Sequence, residues 1–254
     1  MHLHHLDFNP NAPNTLVLLH GLGANGESWQ LQIPFFTEAG YRIVAPDLRS
    51  FGQSPYPGHT SIAEMAGDVA ELLDHLHLPN AHILGISLGG TVALQFALDY
   101  PARVQKLVLV NTFAHLRPKN PGVWLYMLWR LILVHTIGLE TQGKVVAKRV
   151  FPLPEQEIAR QELLVQIRQA DPRGYRATMR ALGLFNVQPR LKEIRCPTLI
   201  LTSENDTTVP TDAQRALARD IPAARQILFP QGGHALSVDQ ADAFNAAVLS
   251  FLEG

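Results

Sequence analysis

The sequence has one cysteine and almost no net charge. Because Cys196 is the single cysteine among 254 residues, neither an intrachain disulfide nor a zinc site built from cysteines alone can form. The formal net charge is −1, so we expect neither a basic surface for nucleic acid nor an acidic tail that binds cations. These absences predict a protein that has no nucleic-acid partner.

Long apolar runs are also scarce. The most apolar stretch, residues 123–139, is interrupted by Arg130 and His135, and it is shorter than the roughly 20 residues that a membrane-spanning helix needs. The first five residues lack the basic region and the apolar stretch of a secretory signal. We therefore expect a cytoplasmic protein without a membrane span.

The length and the remaining composition are those of one large globular domain or of a domain with an insertion. Hydrophobic residues make up 46% of the chain, which is enough for a substantial core. Short apolar runs alternate with amphipathic helical patterns, and this order is typical of a parallel α/β sheet with right-handed crossovers. His2, His4 and His5 do not predict a metal site, because adjacent residues of a strand point to opposite faces.

One turn organises the chain, the segment Gly85-Ile86-Ser87-Leu88-Gly89. An apolar run ends at Gly85, and an apolar helical pattern begins after Gly90, which predicts strand, tight turn and helix. The small neighbours two positions either side of Ser87 allow strained backbone geometry. This Gly-x-Ser-x-Gly pattern is the nucleophile elbow, although a serine here could also simply cap the helix.

A second glycine-rich loop follows the run Thr15 to Leu19, which reads as a buried strand. His20-Gly21-Leu22-Gly23 should lie at the same sheet edge as the elbow. We interpret it as half of an oxyanion hole, in which the backbone N–H of Leu22 acts together with that of Leu88. A plain turn is the alternative. We expect His20 to brace the loop, and Asp47 to bond the backbone of the loop that follows it.

Two late strands end in residues that would complete the chemistry. Asp206 follows the run Thr198 to Thr202, and His234 follows Arg225 to Phe229. The carboxyl ends of parallel strands share one edge, where ligands bind. An imidazole, whose free pKa is about 6.5, can take the proton of a serine, and a carboxylate fixes its tautomer.

Other acids compete with Asp206 for this role. Glu204 lies in the same loop, and Asp239 lies in the first turn of the following helix, where it would favour the helix dipole. The end of the strand Lys106 to Val110 offers Asn111, which cannot ionise. The order Ser87, Asp206, His234 nevertheless matches that of the strand–elbow–helix scaffold.

Between Phe113 and Arg190 the sequence shows no clear strand pattern, and its helical patterns are interrupted by prolines. We predict a core domain of residues 1–112 and 191–254 and a helical lid of residues 113–190. The predicted fold is a mostly parallel central sheet flanked by helices, with the lid inserted after the sixth strand. Trp124, Met127 and Leu128 belong to an apolar patch that we assign to the substrate pocket.

These landmarks together resemble the α/β-hydrolase fold superfamily over nearly the whole chain. Ser50 stands where glycine is common in the superfamily's Asp-x-Arg-Gly-x-Gly segment, so that loop is expected to differ slightly. A serine nucleophile argues against the epoxide hydrolase and haloalkane dehalogenase branches. The chain is similar to small esterases and to 3-oxoadipate enol-lactonase-like proteins, and it also resembles the carbon–carbon bond hydrolases of aromatic ring-cleavage products. The matching segments are His20-Gly21-Leu22-Gly23, Pro46 to Ser54, Gly85 to Gly90, Asp206-x-x-Val209-Pro210 and Gly233-His234.

We therefore predict a serine hydrolase of small or medium carboxylic esters or lactones, which needs no metal and no organic cofactor. Three alternatives stay open. A carbon–carbon bond hydrolase and an acyl transferase or perhydrolase would use the same triad. A ligand-binding receptor with vestigial hydrolysis belongs to a different class. The sequence does not indicate the oligomeric state.

Overall fold

Seven strands form one twisted sheet. The computed structural model describes residues 1–116, 125, 129, 138–222 and 224–254. The strands are β1 His5–Phe8, β2 Asn14–Leu19, β3 Tyr41–Pro46, β4 Ala81–Ile86, β5 Val104–Val110, β6 Thr198–Ser203 and β7 Ala224–Phe229. Their order in the sheet is β1-β3-β2-β4-β5-β6-β7. β1 runs antiparallel to β3, and the other neighbouring pairs are parallel.

The central strands are apolar because both of their faces are covered. In β2, Val17 and Leu19 belong to one hydrophobic cluster, whereas Leu16 and Leu18 belong to the other. Successive side chains of a strand point to opposite faces, so the strand separates two cores. Continuous apolar runs of this kind are typical of parallel sheets.

Helices cover both faces of the sheet. α2 and α3 contribute to the first cluster, and α1 and α9 contribute to the second. In the described ranges the α-helices are α1 Ile33–Glu38, α2 Ile62–His75, α3 Leu88–Asp99, α4 Leu139–Val150, α5 Glu157–Gln169, α6 Pro172–Leu184, α7 Thr211–Asp220, α8 Leu236–Asp239 and α9 Ala241–Glu253. Short 3-10 helices span Gly26–Trp29, Pro101–Arg103, Pro154–Gln156 and Gln188–Glu193.

The helical segment leaves the sheet one strand earlier than predicted. It follows β5, the fifth strand along the chain and not the sixth, because five stretches before residue 113 pair into the sheet. We call residues 113–190 the insertion. Its described helices are α4, α5 and α6, and an isolated bridge pairs His115 with Asn186 where the insertion leaves and rejoins the core.

The three histidines near the start have separate partners. His4 Nδ1 lies 2.9 Å from Asp47 Oδ2, His5 Nδ1 donates to the carbonyl of Leu3, and the ring of His2 contacts that of His75 edge-on. Within the described ranges, no three metal-ligating side chains gather at one point, and no helix there has the length and apolarity needed to cross a bilayer.

Candidate active site

Three side chains from three strand ends meet at the carboxyl edge of the sheet. Ser87 follows β4, Asp206 follows β6, and His234 follows β7. His234 Nε2 lies 3.1 Å from Ser87 Oγ, and His234 Nδ1 lies 2.9 and 3.0 Å from the two carboxylate oxygens of Asp206. The ring therefore donates from Nδ1 and presents an acceptor to the serine hydroxyl.

The turn around Ser87 has the strained geometry that its sequence predicts. Ser87 has φ +54° and ψ −113°, a region that side-chain-bearing residues rarely occupy. A Cβ at Gly85 would lie 2.2 Å from the carbonyl oxygen of Gly89, and a Cβ at Gly89 would lie 2.0 Å from that of Leu19. Glycine is thus required on both sides of the serine for steric reasons.

The loop after β6 holds the Asp206 carboxylate in a fixed orientation. Asp206 Oδ1 accepts the backbone N–H groups of Thr208 and Val209 at 2.7 and 2.9 Å, and Oδ2 accepts Gln214 Nε2 at 3.0 Å. The carboxylate is completely buried, and 8% of the His234 side chain is exposed. Hydrogen bonds to the ionised form compensate for its removal from water.

The rival acid Glu204 points elsewhere. Its side chain is exposed and lies 3.8 Å from Arg215. Of the acids in this loop, Asp206 is therefore the one that the structure brings to His234.

The glycine-rich loop lies beside the nucleophile. A Cβ at Gly21 would be 3.7 Å from Ser87 Cβ. Leu22, the next residue in sequence, therefore begins beside the serine. Leu88 is the first residue of α3, and its N–H has no acceptor within that helix. The backbone N–H groups of Leu22 and Leu88 thus belong to two segments that flank Ser87.

Two buried side chains brace this loop, as the sequence predicts. His20 Nδ1 donates to the Gly21 carbonyl, and His20 Nε2 accepts the Leu48 N–H at 2.9 Å. Burial lowers the pKa of His20 below its usual value, which favours this neutral tautomer. Asp47 accepts the N–H groups of Gly26 and Gln53, each at 2.8 Å. Both residues are structural.

Comparisons with known proteins assign the chain to a family. A model of the alpha/beta hydrolase family matches residues 16–247. The chain belongs to this family. The resemblance inferred from the sequence landmarks is confirmed, as is the mostly parallel sheet flanked by helices.

Relatives of this α/β-hydrolase cover nearly all of it. A Variovorax paradoxus protein with the provisional name carbamate hydrolase RutD is 35% identical over 99% of this chain and 96% of its own. The enol-lactonase of Burkholderia xenovorans superposes with a TM-score of 0.89 at 25% identity, over 99% of this chain and 96% of that one. A thermophilic esterase of Thermogutta terrifontis gives a TM-score of 0.87 at 26% identity, over 99% and 93%.

A large cavity opens at Ser87 and His234 in the hydrolase. The insertion supplies much of its wall, together with Leu22 and Ile86 from the core. Apolar residues of the insertion in this wall include Val146, Val150, Phe151, Leu163, Met179 and Leu182. Trp124, Met127 and Leu128, which we assigned to the pocket, lie outside the described residues.

Asn111 has a role in the hydrolase that its sequence position did not indicate. The residue has φ +44°, and its Nδ2 donates to Ser203 Oγ and to the carbonyls of Gly233 and His234, each at 2.9 Å. Its Oδ1 accepts the Ser203 N–H at 2.9 Å. Asn111 therefore joins the ends of β5 and β6 to the loop that carries His234.

Asp239 also differs from its expected role. It is the last residue of the one-turn helix α8, so it does not lie at the start of a long helix. Its Oδ2 accepts the Gly233 N–H at 3.1 Å, and its Oδ1 accepts Gln156 Nε2 from the insertion at 2.7 Å. The sequence patterns did not predict the roles of Gln156 and Gln214. Neither glutamine belongs to a recognisable motif, and the hydrogen-bond partner of each is not adjacent to it in sequence.

Proposed function

We propose that this α/β-hydrolase is a serine hydrolase that cleaves carboxylic esters or lactones through an acyl-enzyme. The observation that carries the proposal is the continuous contact from Ser87 Oγ through the His234 ring to Asp206, at 3.1 and 2.9 Å. This arrangement makes the serine a nucleophile and fixes the tautomer of its base.

In the first step His234 Nε2 takes the proton of Ser87 while Oγ bonds to the acyl carbon. The carbonyl oxygen becomes an oxyanion, and we assign its stabilisation to the N–H groups of Leu22 and Leu88. The tetrahedral species collapses, the bond to the alcohol oxygen breaks, and His234 returns the proton to that oxygen. For a lactone, this oxygen stays attached to the acyl chain.

In the second step water gives a proton to His234 and attacks the acyl carbon. The bond to Ser87 Oγ breaks, the proton returns to the serine, and the acid is released. Asp206 stays ionised and stabilises the imidazolium that forms twice in the cycle. None of these steps requires a metal or an organic cofactor.

The apolar wall supports a substrate with hydrophobic character, and the insertion is the element that would select it. We propose that residues 113–190 act as a cap on a core of residues 1–112 and 191–254. In sequence, α4, α5 and α6 lie between the neighbouring strands β5 and β6, and these helices line the cavity. A cap also excludes water from the acyl-enzyme.

The test is steady-state hydrolysis of p-nitrophenyl esters of graded acyl length. We expect Ser87→Ala to lower kcat by at least about 1000-fold, as loss of the nucleophile does in other triad enzymes. Ser250→Ala, on the exposed side of α9, serves as the matched control. Retained turnover in Ser87→Ala would refute the nucleophile.

A carbamate is the second candidate substrate, and the similarity to the RutD relatives favours it. Its carbonyl would meet the same serine and the same two N–H groups. The two candidates are separated by kcat/KM for an ester and a carbamate of one phenol. Absence of both activities from protein whose Ser87 still reacts with a fluorophosphonate would refute both substrate classes.

A further inference from the structure

A chain of hydrogen bonds links the insertion to the backbone beside His234. Gln156 Nε2 donates to Asp239 Oδ1 at 2.7 Å, and Asp239 Oδ2 accepts the N–H of Gly233 at 3.1 Å. Gly233 directly precedes His234. The Asp239 carboxylate therefore joins the loop of His234 to an amide that lies 83 residues away from Asp239 in sequence.

The insertion end of this link is well ordered by its own contacts. The Oε1 atom of Gln156 accepts the Leu153 N–H at 2.9 Å, which orients the amide so that Nε2 faces Asp239. The Arg160 guanidinium donates to the carbonyls of Phe151 and Leu153 at 2.7 Å and to that of Pro154 at 3.1 Å. Residues 151–156 thus present Gln156 in a fixed position.

The histidine end is built to receive the carboxylate. A Cβ at Gly233 would lie 2.6 Å from Asp239 Oδ2, so a side chain there would displace the carboxylate from the N–H. Burial raises the pKa of Asp239 to about 6, while the hydrogen bonds from Gly233 and Gln156 oppose this rise. Among the described charged groups, His234 and Asp206 act on it electrostatically.

We propose that Asp239 is a positioning residue that couples the closed arrangement of the insertion to the placement of His234. The inference rests on the proposed triad chemistry. When Gln156 leaves Asp239, the carboxylate loses one of its two anchors, and the loop of Gly233 and His234 loses its constraint. The insertion would then open the cavity and loosen the base in one step.

Reversing the polarity of the pair tests this coupling. In Asp239→Asn, the amide oxygen keeps the Gly233 N–H, but the new amide nitrogen meets the Nε2 donor of Gln156. In Gln156→Glu, two carboxylates face each other. The double variant restores a donor opposite an acceptor, because the amide nitrogen introduced at position 239 then faces a carboxylate oxygen introduced at position 156. The Leu153 N–H keeps an acceptor in every variant.

We expect each single change to lower kcat at pH 8 by roughly 10-fold, the usual size of a lost charge-assisted hydrogen bond, with a smaller effect on KM. The double variant should recover to within about threefold of the parent. The deficit of Gln156→Glu should shrink at pH 6, where the two facing carboxyls share a proton.

Amide hydrogen exchange supplies a readout that is independent of turnover. Both single changes should speed exchange in residues 151–157 and also in residues 232–236, and the double variant should slow both again. Asp242→Asn removes the same charge from the exposed side of α9 and should change neither readout. If Asp239→Asn fails to fold, Gln156→Glu and its pH dependence carry the test.

The coupling is overturned if Gln156→Glu speeds exchange only in residues 151–157, if Asp239→Asn speeds it only in residues 232–236, or if the double variant has a kcat no higher than that of the worse single variant. This failure is distinct from failure of the proposed function. A parent protein that hydrolyses no ester or carbamate removes the function, whereas the exchange pattern still decides whether Asp239 couples the two segments.

Discussion

The contact between Ser50 and Gly174 gives a prediction whose size can be worked out from distances. Ser50 lies in the loop after β3, and Gly174 lies in the first turn of α6. A Cβ at Gly174 would lie 2.2 Å from Ser50 Cβ and 2.3 Å from Ser50 Oγ, whereas carbon atoms in contact are about 3.5–4.0 Å apart. Gly174→Ala must therefore displace α6 or the loop by more than about 1 Å, and overpacking of this kind costs about 1–3 kcal/mol.

The backbone conformation and the buried hydroxyl of Ser50 both lower the stability of the folded state, apart from its contact with Gly174. It has φ +78°, and its buried hydroxyl has no hydrogen-bond partner among the described residues. A left-handed backbone costs a non-glycine residue about 1–2 kcal/mol, while glycine loses about 0.5–1 kcal/mol more entropy on folding. Ser50→Gly should therefore raise the free energy of unfolding by about 1 kcal/mol.

The double variant decides the matter, because Ser50→Gly vacates the space that the new methyl group needs. We expect Gly174→Ala to cost about 2 kcal/mol in the parent and clearly less when residue 50 is glycine, where the remaining close neighbour of the methyl group is Tyr56 Cδ2 at 3.2 Å. Urea denaturation followed by circular dichroism measures all four proteins of the cycle. An equal cost in both backgrounds would show that the two side chains do not compete for space.

Two further outcomes are expected. Asn111→Ala removes the donor to the carbonyls of Gly233 and His234, so kcat for p-nitrophenyl esters should fall by about 10-fold or more. Urea denaturation should show a free energy of unfolding lowered by about 2–3 kcal/mol. An unchanged kcat would exclude a positioning role for Asn111. Because burial raises the pKa of Asp239 from 3.8 to about 6, the native state holds this proton more tightly than the unfolded chain. The contribution of Asp239 to the stability of the parent is therefore lost as the pH rises from about 4 to 7. The free energy of unfolding of Asp239→Asn, relative to that of the parent, should therefore rise by about 1 kcal/mol between pH 4 and pH 8. This value is reduced from the full effect of the pKa shift because the carboxyl is partly exposed. A difference in unfolding free energy that stays constant with pH would contradict the prediction.

The positions of the candidate triad could be predicted because topology alone brings them together. Ser87, Asp206 and His234 each follow a parallel strand, and the carboxyl ends of such strands share one edge. The need for small residues at positions 85 and 89 could also be predicted, because the Gly-x-Ser-x-Gly pattern indicates a tight turn. Their catalytic roles remain predictions that the variants above test.

The supporting contacts could not be predicted, since they depend on geometry that no local pattern encodes. Asn111 reaches three acceptors because its backbone adopts φ +44°, and asparagine at a strand end usually signals only a turn. Asp239 was interpreted from its place near a helix start, but its partners come from the insertion and from the residue before His234.

The described part of the insertion contacts the core at a few restrictive points. Ile167 packs where a Cβ at Gly23 would lie 2.7 Å away, Gly174 fits against Ser50, Gln156 bonds Asp239, and the Arg149 carbonyl accepts the Thr207 hydroxyl at 2.5 Å. Between these points, wall residues such as Met179 and Leu182 line the cavity and pack against the hydrophobic core through apolar contacts. Divergence of substrate range can proceed there while the docking sites stay fixed. A cap transplanted from a relative would fold back onto this core only if it brought a small residue, an aliphatic one and an amide to those same places.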